Sequence, residues 1–218
     1  MRINNRDITD LNATLNGFTY ESSAVEREIL NNGMGHILLS STIKPQNRSL
    51  IVTFTSEQDI SRFSALIASY PLEIDTEDGF IYDCLLTTTP LVEHLGCDYY
   101  TVTYNLSCIK KGHRQRFKVV FPCVNINILG NQPTPPIITI IPKQNADAVT
   151  ICGFTVRNLR KDCAVIIDSI DKLVEENGQN KFNDCDLKQF YRLMPGVREL
   201  TISSAQAEAV IEYDPIYM

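Results

Sequence analysis

The stretch Tyr99-Tyr100-Thr101-Val102-Thr103-Tyr104-Asn105-Leu106-Ser107-Cys108-Ile109 sets the fold class. Successive side chains of a strand point to opposite sides, so Val102, Tyr104, Leu106 and Cys108 share one face. Thr101, Thr103, Asn105 and Ser107 share the other. This alternation marks a long strand with one face in a core. The next residues, Lys110-Lys111-Gly112-His113-Arg114, read as a hairpin tip, and Phe117 to Val124 reads as the returning strand.

Upstream, Arg2 to Asn16 reads as two short strands around the turn Asn4-Asn5-Arg6-Asp7. Residues 19–33 are polar, with Val25, Ile29 and Leu30 allowing one short amphipathic stretch, and Asn31-Asn32-Gly33 breaks it. His36 to Ile43 and Ser49 to Thr55 read as two further strands. Glu57 to Ser69 has helical spacing. Ile60, Phe63 and Ile67 share a face with Leu66 beside them. Ser56 is the N-cap, Asp59 stands where a capping box has Glu or Gln, and Pro71 ends the helix. Phe80 to Leu86 returns to strand, and 87–98 carries no clear pattern.

Downstream, residues 125–136 hold three prolines and a glycine and read as an extended linker. The expected boundary therefore separates a domain of residues 1–128 from one of residues 129–218. In the second, short strands recur with turn signals about every 10 residues, the pattern of a β-sandwich. They are Ile137 to Ile141, Val149 to Cys152 and Phe154 to Val156 about Gly153, Ala164 to Asp168, Lys172 to Glu175, Glu199 to Ile202, and Ala207 to Tyr213. Glu176-Asn177-Gly178 marks a turn.

Composition agrees with a mainly β protein. The 218 residues include 24 Ile, 17 Thr and 13 Val, and β-branched side chains favour pleated surfaces. Net charge is −6. Residues 1–128 carry 11 basic and 14 acidic side chains, and residues 129–218 carry 9 and 12. Neither part offers the positive field that non-specific nucleic-acid binding requires. The start, Met1 to Asp7, has no apolar leader pattern, and no apolar run reaches membrane-spanning length. The seven cysteines, Cys84, Cys97, Cys108, Cys123, Cys152, Cys163 and Cys185, form no C-x-x-C and read as reduced core residues of a protein made in a cytosol.

Catalytic and metal signatures are weak. His36, His94 and His113 contain no i,i+4 pair. His94 and Cys97 lie three apart, but sequence supplies no further ligands, and a loop position is expected. Gly33-Met34-Gly35 lacks the third glycine of a dinucleotide motif, and no P-loop or G-x-S-x-G occurs. The carboxylate pairs Glu175-Glu176 and Asp184 with Asp186 flank polar turns and read as solvated acids. No enzyme, metal or cofactor is expected. The sharpest charge feature is Lys110, Lys111, Arg114, Arg116 and Lys118. It reads either as a solvated hairpin tip or as a contact with phosphates or an acidic patch on a partner subunit.

The order of signals resembles the distal tail proteins of long-tailed phages. It runs Pro-Pro-Ile-Ile-Thr-Ile-Ile (135–141), Ile-Ile-Asp-Ser (166–169), Glu-Asn-Gly-Gln-Asn (176–180), Phe190, Leu193, Pro195-Gly196 and Ala209 to Pro215. The opening Ile3-Asn4-Asn5-Arg6-Asp7-Ile8-Thr9-Asp10 is similar to that family's first segment. Asn5 stands where glycine is usual, Arg198 replaces an Asn found in many relatives, and the chain has no Trp. The resemblance implies a mainly β fold: an N-terminal β-rich belt domain with one α-helix and a long β-hairpin, plus a C-terminal galectin-like β-sandwich. It implies a structural virion protein of the tail tip, assembled in the host cytoplasm as a homo-hexamer. That ring would link the tail tube protein to the tail-tip hub (tail-associated) protein or baseplate. The tape-measure protein and DNA would pass its lumen, and receptor-binding proteins would sit outside. The competing expectation is a carbohydrate-binding, lectin-like module used in host adsorption. Against it, none of the histidines begins the His-x-Asn-x-Arg set of true galectins.

Overall fold

The computed structural model describes residues 1–31 and 36–218, with side chains described outside 22–44. The Asn31-Asn32-Gly33 break and Gly33-Met34-Gly35 fall on residues 32–35, outside the described residues. The fold is mainly β with one α-helix, as the sequence indicates. It divides into two compact units, Met1–Lys111 with Tyr217–Met218, and Gly112–Ile216.

In the first unit the strands are β1 (Arg2–Ile3), β2 (Arg6–Asp7), β3 (Thr14–Asn31), β4 (His36–Phe54), β5 (Leu72–Asp75), β6 (Ile81–Leu86), β7 (Leu91–Gly96) and β8 (Tyr99–Lys111). They form an antiparallel sheet of order β2-β1-β5-β6-β8-β4-β3. Strand β8 is its centre. It pairs with β4 through residues 100–108, and with β6 through 106–111 and β7 through 99–103. Its alternation is as the sequence indicates: Val102, Tyr104, Leu106 and Cys108 are buried.

The long hairpin of this unit is β3–β4, and it replaces two expectations. Residues 19–31 continue a strand rather than forming an amphipathic stretch. His36 to Ile43 and Ser49 to Thr55 belong to one strand. The ladder runs from Thr14↔Thr53 to Asn31↔His36. Pro45 stands at a register shift between Ser23 and Val25, and β8 pairs with β4 only from Gln46 onward. Proline within a sheet belongs at such an irregularity, where no ladder hydrogen bond is required of it.

Helix α1 (Glu57–Ile67) covers part of this sheet. Ser56 caps it by accepting from the Gln58 N–H at 3.1 Å. Asp59 makes no capping box; it accepts from Asn12 Nδ2 at 3.3 Å. Phe63 meets Phe54 edge-on at 5.2 Å and Tyr104 at 5.6 Å. The Tyr104 hydroxyl, which would otherwise be stranded in the core, bonds Ser64 Oγ at 2.8 Å.

In the second unit the strands are β9 (Gln115–Val119), β10 (Cys123–Ile128), β11 (Ile137–Pro142), β12 (Ala146–Ile151), β13 (Phe154–Leu159), β14 (Val165–Asp168), β15 (Leu173–Glu176), β16 (Gln179–Asn180), β17 (Cys185–Asp186), β18 (Gly196–Thr201) and β19 (Ala207–Tyr213). A six-stranded sheet, β16-β15-β14-β11-β19-β9, shares one core with β12-β13-β17 and β10-β18. Ile138, Ile140, Ile167 and Ile211 of the former pack with Val149, Ile151, Val156 and Leu200 of the latter, as in a sandwich.

Two sequence expectations fail here. Residues 110–124 are not a hairpin. Strand β8 ends at Lys111, and β9 pairs with β19, Phe117 opposite Ile211. The unit boundary therefore falls at Lys111/Gly112 rather than 128/129. The 125–136 segment is not a free linker either. Strand β10 pairs with β18, and Thr134, 1% exposed, bridges Leu193. Its prolines and glycine shape a packed corner. Gly130 has φ +100°, and a Cβ there would lie 2.7 Å from the Ile216 carbonyl oxygen.

Candidate partner-contact surfaces

The five cations of 110–118 are dispersed by the turn of the chain into β9. In the first unit, Lys110 Nζ lies 3.6 Å from the centre of the Phe80 ring, a cation–π contact. Lys111 pairs with Asp83. In the second unit, Arg114 grips Asp214 through Nε and Nη2, both at 2.9 Å. Arg116 faces Glu212 across the β9–β19 ladder at 3.6 Å. Lys118 shares Glu208 with Lys143. Hydrogen bonds from Lys118 and then Lys143 hold the Glu208 carboxyl below the usual range. Charges that read as an open basic tip are thus matched within each unit, mainly by acids near the C-terminus. Arg116 and Arg114 remain more than half exposed, so their outer faces stay accessible.

Sequence periodicity missed strand β7. Leu91, Val92 and Leu95 are 60%, 50% and 64% exposed, and Tyr99 beyond the turn is 50% exposed. Exposure on both faces gives no alternation, which explains why 87–98 carries no signal. A cluster of large exposed apolar side chains on one strand marks a contact surface. His94 sits on this strand rather than in a loop, its ring 4.8 Å from that of Tyr100. Cys97 occupies the β7–β8 turn, with φ +50°. Among the described residues no group of three or more His, Cys, Asp or Glu able to hold a metal occurs.

The second unit holds an open cleft of about 770 Å³, lined by Phe154, Leu187, Phe190, Tyr191, Arg192 and Met194 among others. Cys152 lies in its wall, and burial pushes its thiol up to about 11. Nearby in sequence, but in its own setting, Glu176 is only 7% exposed. It accepts from Arg160 Nη2 at 2.6 Å and Lys181 Nζ at 3.3 Å. Lys181 also reaches Asp184 at 3.0 Å and donates to the Asn158 carbonyl. The Arg160 hydrogen bond, aided by Lys181, holds the Glu176 carboxyl below its ordinary range despite burial. The Glu175-Glu176 pair is therefore not two solvated acids. The strand turns Glu176 inward, and two cations neutralise it there. Of the seven cysteines expected in cores, Cys84 and Cys108 are buried, Cys97 is exposed and the remaining four are intermediate.

The named strands pair antiparallel in two β units, and the surface carries an exposed apolar strand and half-exposed cations. Comparison with known proteins adds the following. Residues 129–217 match the family described as siphovirus-type tail component, C-terminal domain. That match covers the C-terminal part of the chain, and over its whole length the chain has a fold similar to that of a phage distal tail protein. The Dit protein of phage SPP1, described as a paradigm of the hub adsorption apparatus in phages infecting Gram-positive bacteria, superposes with a TM-score of 0.79. The match has 13% identity and covers 99% of this chain and 98% of that one. A chain of the phage P2 baseplate in its activated, calcium-containing conformation gives 0.52 at 12% identity, covering 94% and 92%. The strontium form gives 0.51 at 13%, with the same coverage. No curated protein sequence matches the chain. No helix among the described residues is long and apolar enough to cross a membrane.

Proposed function

We propose that this chain is a structural virion protein that assembles as a hexameric ring at the tail tip. The ring joins the tail tube protein to the tail-tip hub and leaves a lumen for the tape-measure protein and DNA. The observation that carries this reading is the near-complete, end-to-end likeness to the SPP1 Dit protein. The N-terminal unit, Met1–Lys111, which lies within the belt domain that sequence reads as residues 1–128, forms the ring. The galectin-like region faces outward and carries receptor-binding proteins. A closed ring uses two different complementary patches on every subunit. The apolar strand β7 and the half-exposed cations Arg114 and Arg116 supply surfaces of contrasting chemistry.

Negative-stain electron microscopy with a solution mass tests the reading. Six-fold rings with an open centre are expected. A protein that stays monomeric alone and also with the tube and hub proteins overturns it. Reversing Lys110, Lys111 and Arg114 to Glu should weaken assembly. Because Lys111 and Arg114 also neutralise Asp83 and Asp214, the thermal midpoint of the variant must be read alongside. Normal assembly of the triple variant removes these residues from the interface.

A second reading, a carbohydrate-binding module for host adsorption, draws on the cleft with its Phe190 and Tyr191 rings. Binding on a glycan array that is lost in Tyr191→Ala would favour it.

A further inference from the structure

Cys84 on β6 and Cys108 on β8 are direct register partners at the centre of the first sheet. Their sulphurs are 2.9 Å apart. Directly opposed residues of an antiparallel pair have Cα atoms about 4.5–5.5 Å apart, within the range that a disulfide spans. The side chains are 4% and 0% exposed. All seven cysteines are free thiols, and Cys84 and Cys108 are the two that meet sulphur to sulphur. The geometry points to a modification site: a cross-strand disulfide between Cys84 and Cys108 that forms when the protein meets oxidising surroundings.

The oxidant is a small-molecule disulfide such as oxidised glutathione. One cysteine thiolate attacks a sulphur of that disulfide, and its S–S bond breaks. One glutathione thiolate leaves and takes up the proton that the cysteine gave. The second cysteine thiolate then attacks the protein sulphur of the mixed disulfide and expels the second glutathione, which takes up the second proton. Two protein thiols are oxidised and one small-molecule disulfide is reduced to two thiols. The Cys108 sulphur and burial hold the Cys84 thiol well above its ordinary range. The folded Cys84 thiol is therefore a poor nucleophile, since the thiolate is the reactive form, and neither sulphur is open to an oxidant from solvent. Exchange proceeds through local opening of β6 or during folding. The closed bridge ties β6 to the central strand and constrains the intervening loop, which carries β7. By loop-closure entropy, a bridge of this span lowers the unfolded population about 300-fold.

The test removes access as a limit. The full chain is unfolded in urea and refolded by dilution into either reduced or oxidised glutathione. It is then denatured, alkylated without reduction, and mapped by mass spectrometry. After oxidative refolding, a linked peptide pair containing Cys84 and Cys108, lighter by two hydrogens and lacking two alkylations, is expected. Reductive refolding should leave all seven thiols alkylated. The urea midpoint should rise on oxidation for the wild-type protein, and not for Cys108→Ala, which must also return Cys84 to the alkylated set. Full alkylation of Cys84 and Cys108 after oxidative refolding, or their linkage to other cysteines, overturns the inference. This outcome is independent of ring formation, since it is read on the isolated chain.

Discussion

In the first unit the large side chains at the centre are rings: Phe54, Phe63, Tyr82 and Tyr104 are all essentially inaccessible. In the second unit the corresponding places go to Ile138, Ile140, Val149, Ile151, Val165 and Ile167, and the unit also buries Glu176 and Lys181. One sheet with a helix across it leaves broad gaps that rings fill. Two facing sheets present pleated surfaces on which β-branched side chains interdigitate. The contrast in composition therefore follows from the number of sheets that share the core. It also separates the weak points: a ring cluster fails by cavity, an ion cluster by loss of a partner.

The largest expected effect probes the ring cluster. Phe63→Ala removes contacts to both Phe54 and Tyr104. It should cost about 3–5 kcal/mol, since collapse around a lost ring is incomplete. Hydrogen exchange read by mass spectrometry should lose protection first in α1, β4 and β8. A uniform loss across β11, β14 and β19 as well would show that the two cores do not fail separately.

Next comes the ion cluster. Glu176→Gln leaves Arg160 without its carboxylate and leaves Lys181 with Asp184 and the Asn158 carbonyl. Breaking a buried pair costs about 3–5 kcal/mol, and the surviving Asp184 contact should hold the loss to about 2–3 kcal/mol. Because folding depresses the Glu176 carboxyl, its contribution is complete above the unfolded carboxylate range. It disappears as pH falls through the folded value. Denaturant midpoints measured from neutral pH downward should fall for the wild-type protein, and less steeply for Glu176→Gln. Parallel curves would mean that Glu176 is not the acid-sensitive group of the second unit.

Gly130→Ala addresses the corner that sequence reads as a linker. The left-handed φ and the 2.7 Å approach to the Ile216 carbonyl should cost about 2 kcal/mol. A mobile linker would tolerate the change, so an unaltered urea midpoint would restore that reading. The segment shows where sequence signals stop. Proline and glycine report that the chain bends, and they are silent on whether the bend is packed. Strand β8, helix α1 and strands β11 to β15, β18 and β19 were legible because alternation or helical spacing is a local consequence of one buried face. The β3–β4 hairpin was legible only in part: Ser49 to Thr55 reads as a strand, but nothing local announces that 36–43 belongs to that same strand or that 19–31 pairs with it. Strand β7 was not, because all its large apolar side chains face out. The pairing of β9 with β19 joins residues nearly a hundred positions apart, and nothing local announces it. The cations at 110–118 were visible as residues, whereas Asp214, Glu212 and Glu208 as their partners were not.

The smallest expected effect concerns those cations. Arg114→Ala removes a two-point grip on Asp214, yet the arginine is 54% exposed. Exposed pairs of this kind contribute no more than about 1 kcal/mol, and salt screens them further. The urea midpoint of Arg114→Ala should therefore shift only slightly, and less at high salt. If Arg114 also meets an acidic surface on a neighbouring subunit, the same variant should lower ring or tail assembly far more than it lowers stability. A stability loss as large as that of Glu176→Gln would instead mark Arg114 as a structural cation of the second unit. The charge at the start of β9 would then belong to the fold rather than to a partner.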